Sequence, residues 1–264
     1  MPLAVETLGP ETHLQSFRDY FSAWLEHPSA VSAGMTCVAC KHLHLFGTRL
    51  AEKLSAPLII WAKCPVEDWP FLALKYDSEK GGREGRLRGG ALLTQEGLSS
   101  PKLFEGSVRN FTITALGCLA FAPDSPFLKW RFPSVEQLLF FDYWPWNPQE
   151  IDSTIISETG WKKPTNRPND WHSDCVFDVF KEYMFQRALG VSYTDGFLSN
   201  QIRAGILTRD EALHELVESK EHFAEVLPEA LQRVGFEHLS RPVLTPPALR
   251  SGSKCDRLRP ACPV

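Results

Sequence analysis

Cys37 and Cys40, in the run CVAC, are the sharpest chemical feature of the sequence. They stand just ahead of an amphipathic stretch, and a helix N-terminus favours the thiolate, the form that binds metal. A third thiol, Cys175, has His172 three residues before it. Three thiols and an imidazole are the ligand types of a tetrahedral zinc site, with His172 in the fourth position. The competing reading makes the cysteines free and buried, packing as small hydrophobes. Arg203 and Arg209 flank Gly205 across a short turn between two helical stretches. Guanidinium groups match phosphate bidentately, so this pair could hold a phosphate group. It could equally form surface ion pairs with Asp195, Asp210 or Glu211. Asp142 follows an apolar run and precedes Trp144 and Trp146. Ligands of open α/β sheets bind off the carboxyl ends of strands. There Asp142 could meet a nucleotide or metal, and the tryptophans could stack on a base or sugar. The alternative is an aromatic core between strand and helix. His42 and His44 read as partly exposed helix residues. The glycine-rich, charged run Asp77–Gly90 lacks the Gly-Lys-Ser/Thr ending of a phosphate loop and reads as a surface loop or lid. No HExxH occurs, and no Ser–His–Asp triad suggests itself.

The elements that would position these groups follow from periodicity and punctuation. Leu14, Phe17, Phe21, Trp24 and Leu25 share one face of a helix over Thr12–His27. A second helix, Cys40–Leu54, turns Leu43, Phe46, Leu50 and Leu54 inward. The continuous apolar run Leu58–Ala62 suits a strand buried on both faces, as in a parallel sheet. Residues 91–134 read as mostly helix. Leu138–Tyr143 reads as a second buried strand. Asn147, Pro148 and Glu150 then open a helix through a capping box, and Gly160 ends it. Further helices are expected over Val176–Leu189 before Gly190, and over Asp195–Ala204 before Gly205. Thr208 and Glu211 cap another that runs to Glu218, and Pro228–Val234 makes a last short one. From Ser240 onward, proline, arginine and serine without periodicity describe a disordered tail. If the two strands are parallel neighbours, the helix starts at Cys37/Cys40 and at Cys175 can face one crevice.

Bulk properties set the limits. The chain of 264 residues is long enough to bury a core without staples, and seven cysteines, an odd number, argue against a disulfide framework. Its net charge of −4 and pI near 6.1 do not favour a nucleic-acid partner, which needs clustered Lys and Arg. The longest apolar stretch, Phe111–Ala122, is short of the roughly 20 residues of a membrane span. The first residues carry no basic region or long apolar run, so no secretory signal is expected and the cytoplasm is the expected compartment.

The segments GWKKP at 160–164, WHSDC at 171–175 and SNQIRAGILTRDEAL at 199–213 are joined by three upstream runs: CVAC at 37–40, APLIIWAK at 56–63 and DYWPWNPQEI at 142–151. In this order they resemble the PP-loop ATP pyrophosphatase superfamily, in its branch of N-acetyl sugar amidotransferases of surface-polysaccharide biosynthesis. The resemblance spans most of residues 35–220. It implies an α/β fold with a Rossmann-like parallel sheet of the PP-loop type, incomplete at its N-terminus, and a helical C-terminal region. The divisions expected are a partial PP-loop domain over 1–160, a helical region over 161–239 and a disordered tail over 240–264. It further implies ATP with magnesium as cosubstrate, a nucleotide-sugar substrate, and ammonia from a separate glutaminase subunit. Asp142, Arg203 and Arg209 become the expected cofactor contacts. Related tRNA-thiolating enzymes hold an iron–sulfur cluster on a CxxC and a distant cysteine. Cys37, Cys40 and Cys175 resemble that arrangement, which leaves a tRNA sulfur transferase as one alternative and a non-catalytic binding remnant as another. The family's Ser-Gly-Gly-x-Asp-Ser loop, which wraps the pyrophosphate with backbone N–H groups, has no counterpart in residues 1–36. A truncated or diverged member, inactive alone, is the expectation.

Overall fold

The computed structural model describes residues 10–33, 38–64, 66–67, 120, 125–162, 175 and 177–239. Helix α1 spans Pro10–Glu26. Its apolar spacing works as the sequence suggests: Phe17, Phe21 and Trp24 are buried, with Leu14 and Leu25 partly buried beside them. The Trp24 indole N–H donates to Ser29 O at 2.8 Å, so its one polar atom is satisfied. A short helix α2, Ala30–Ala33, follows.

Helix α3 spans Val38–Lys53 and precedes strand β1, Leu58–Trp61. After helix α4, Pro126–Arg131, strand β2 covers Glu136–Leu139. The two strands pair in parallel, with Leu58 opposite Glu136 and Trp61 opposite Leu139. The fold is therefore mixed α/β and mostly helical, with a small two-stranded parallel sheet among the described residues.

Three expectations are corrected here. First, β2 ends at Leu139. Phe140–Asp142 leaves the ladder as a 3-10 turn, with the Tyr143 N–H donating back to Phe140 O at 3.1 Å. Second, β1 is not buried on both faces. Leu58 and Ile60 are 44% and 60% exposed, while Ile59 and Trp61 turn toward the covered side. Third, α3 buries His42, His44, Leu45, Thr48 and Ala51, and exposes Leu43 and Leu54. The reason lies in a polar chain that joins helix to sheet. The Trp61 Nε1–H donates to Gln137 Oε1 at 2.8 Å, Gln137 Nε2 donates to Thr48 Oγ1 at 2.9 Å, and the Thr48 hydroxyl donates to His44 O at 2.6 Å. The His44 ring meets the Trp61 ring edge-on at 4.5 Å. Gly47 lets that indole approach, since a Cβ there would stand 2.8 Å from the Trp61 ring. A separate small core joins Leu45 to Ala120, Leu128 and Phe132.

The helices after β2 begin and end where local chemistry dictates. Helix α5, Pro148–Thr159, starts with Asn147 accepting from the Glu150 N–H and ends at Gly160 with φ 68°. Helix α6, Asp178–Leu189, ends at Gly190 with φ 76°. Helix α7 is Tyr193–Arg203, starting two residues before the expected Asp195. Ser192 is its cap and Asp195 the reciprocal partner of a capping box. Helix α8 is Arg209–Val234, one continuous helix through Pro228 where two were expected. Proline inside a helix costs about 3 kcal/mol. Here Leu227, Leu231 and Val234 are buried around it, and burying side chains of that size returns roughly 1.5–3 kcal/mol each.

The main core draws on both ends of the described chain. Phe17, Phe21 and Trp24 of α1 pack with Phe180, Tyr183 and Met184 of α6, and with Leu227, Leu231 and Val234 of α8. Phe17 and Phe21 lie 4.8 and 5.5 Å from the Phe180 ring, within the range of favourable aromatic pairs. The Arg18 guanidinium donates to Val234 O at 2.9 Å and ties α1 to the end of α8. No helix among the described residues is long and apolar enough to cross a membrane.

Candidate functional site

Because β1 and β2 are parallel and in register, the chain leaves both strands at the same edge of the sheet. Two segments follow the strands there: residues 62–64 and 66–67 after β1, and residues 140–146 after β2. The carboxyl edge of parallel strands is where α/β folds place ligands.

The first segment is docked onto the C-terminal helices. Asn200 of α7 donates from Nδ2 to Val66 O at 2.9 Å, and its Oδ1 accepts from the Arg203 guanidinium. Asn200 therefore fixes the exposed Arg203 close to the chain just past β1. Cys64 is half-buried, and burial pushes its thiol up to about 11, so it is protonated near neutral pH. Opposite this segment, Lys181 of α6 lies 3.2 Å from the Asp178 carboxylate, the two side chains being 15% and 2% exposed. Its ammonium also sits 4.7 Å from the Tyr193 ring centroid. Burial disfavours the charged ammonium, but Asp178, Cys175 and Glu67 outweigh it and hold the Lys181 pKa above its ordinary value. Lys181 is thus a mostly buried ammonium paired with Asp178, with Glu67 of the β1 segment and Cys175 among its neighbours.

The next residue of α6, Glu182, is 4% exposed. Its Oε1 accepts from the Thr194 N–H at 2.8 Å and from the Thr194 hydroxyl at 2.6 Å, so it holds the N-terminus of α7. Burial, then the like charge of Asp178, push this carboxyl up to about 7, against the opposing pull of the Thr194 and Ser192 hydrogen bonds.

The second segment is aromatic and open. Phe140, Tyr143 and Trp144 are 40%, 77% and 55% exposed, and Asp142 is exposed between them. Asp142 therefore stands on the turn beyond β2 rather than in the strand. Trp144 is not part of an aromatic core, while Trp146 is half-buried.

Of the expected site residues, Cys175 neighbours Lys181, Arg203 is linked through Asn200 to Val66, and Asp142 lies on the turn that follows β2. Arg209 opens α8 across the Gly205 turn from Arg203, and both arginines are exposed. Two of their expected ion-pair partners are engaged elsewhere. Asp195 takes the Ser192 cap and Lys220 at 3.4 Å, and Glu211 accepts from Thr208. Cys37, His172 and the Cys40 side chain lie outside the described residues, as do the Asp77–Gly90 loop and the tail from 240. Among the described residues no three His, Cys, Asp or Glu side chains group as metal ligands. His42 and His44, expected to be partly exposed, are buried. Sequence reasoning missed Lys181 and Glu182. The available signal was a Lys-Glu pair inside the apolar run Val179–Phe185.

No protein-family model, curated protein or solved structure matches this chain.

Proposed function

We propose that the chain is an N-acetyl sugar amidotransferase-like protein of nucleotide-sugar and surface-polysaccharide biosynthesis, one that binds the sugar nucleotide without adenylating it alone. In this reading the β1–β2 pair belongs to a Rossmann-like sheet, and a glutaminase subunit is the source of ammonia. The observation that supports it is the Asn200–Val66 hydrogen bond of 2.9 Å, which with the Arg203–Asn200 hydrogen bond ties Arg203 to the segment that follows β1. A guanidinium beside such a segment suits the pyrophosphate of a sugar nucleotide.

The residues present do not fit ATP. No Ser-Gly-Gly-x-Asp-Ser occurs anywhere in the 264 residues. Two exposed arginines do not replace a ring of backbone N–H groups around a pyrophosphate and its magnesium. No adenylation step is assigned to this chain, and none is routed through zinc or an iron–sulfur cluster.

Two measurements on the purified protein test the reading. Calorimetric titration with a UDP-N-acetylhexosamine should show saturable binding, weakened about tenfold by Arg203→Ala, the loss of a charge-assisted contact. ATP–pyrophosphate exchange in the presence of ammonia and the same sugar should be negligible. A nucleotide sugar that does not bind overturns the assignment. Exchange on the order of 1 per second, ordinary for an enzyme, overturns the absence of adenylation.

A further inference from the structure

We draw no further inference here: the strongest candidate, the cavity of about 360 Å³ between α1, the start of α6 and α8, lined by Leu14, Phe177, Phe180, Phe223 and Val226, is an apolar groove whose charged lining residues Glu229 and Arg233 already pair with each other at 2.6 Å, so nothing in the structure shows what covers it.

Discussion

Replacing Glu182 by glutamine should remove the pH dependence that this residue imposes on stability. Glutamine keeps an acceptor oxygen for the Thr194 N–H and hydroxyl, at 2.8 and 2.6 Å, and removes the ionisation. The carboxyl is raised from 4.5 to about 7, first by burial and then by Asp178, so the folded state favours its protonated form. A carboxyl raised on folding stabilises fully below the unfolded value, and that contribution is lost as pH rises through the folded one. The window here runs from about pH 4.5 to about pH 7, and the shift corresponds to about 3 kcal/mol across it. Urea unfolding of wild type and Glu182→Gln, at intervals from pH 5 to pH 8.5, measures the difference directly. The variant should be similar to wild type or weaker at pH 5 and gain about 2–3 kcal/mol relative to it by pH 8. Removing the hydroxyl donor with Thr194→Val should push the wild-type window upward, because that donor favours the ionised carboxylate. Parallel stability profiles for wild type and Glu182→Gln would refute the claim that Glu182 titrates in the folded protein near neutrality.

Gly47→Ala should destabilise by about 1–2 kcal/mol despite the better helix propensity of alanine, because the new Cβ meets the Trp61 ring at 2.8 Å while Gln137 and His44 hold that ring in place. The urea midpoint is the readout, and a stabilised variant would show that the indole can step aside. Pro228→Ala should stabilise by about 1–3 kcal/mol, since the exposed proline lies inside α8 and its replacement restores an N–H for Ala224 O. A lower melting temperature would mean that the proline ring contributes packing that outweighs the missing bond.

What was legible in the sequence was mostly local chemistry. Asn147 and Thr208 as caps, and Gly160, Gly190 and Gly205 as helix ends, act through their own backbone neighbourhood and need no partner to be recognised. The α1 stripe was legible because its large rings repeat at helical spacing. The failures are places where a distant partner decided. The run Leu138–Phe141 is apolar throughout, so composition could not show that the ladder stops at Leu139. The face of α3 was misjudged because His44 and Thr48 count as polar, yet Trp61 and Gln137 give them reasons to be buried. Pro228 reads as a break because propensity is local, while the buried face of α8 is not. Lys181 and Glu182 gain their character from Asp178 on the same helix, and from Tyr193 and Thr194 on the next. Cys175 was singled out for its thiol, and its described neighbour is an ammonium.

The bond between Arg18 and Val234 joins residues 216 positions apart, and it has a consequence for how the protein is made. At about 5–20 residues per second, the partners of α1 in α8 leave the ribosome roughly 10–40 seconds after α1 does. Until α6 and α8 are made, a 17-residue helix carrying Phe17, Phe21 and Trp24 lacks the partners that bury them, and an isolated helix of that length is marginal in water. The nascent chain must therefore carry a sticky aromatic face until its partners in α6 and α8 have been made. Its yield in a cell should depend on chaperones that shield that face, more than on the stability of the finished fold.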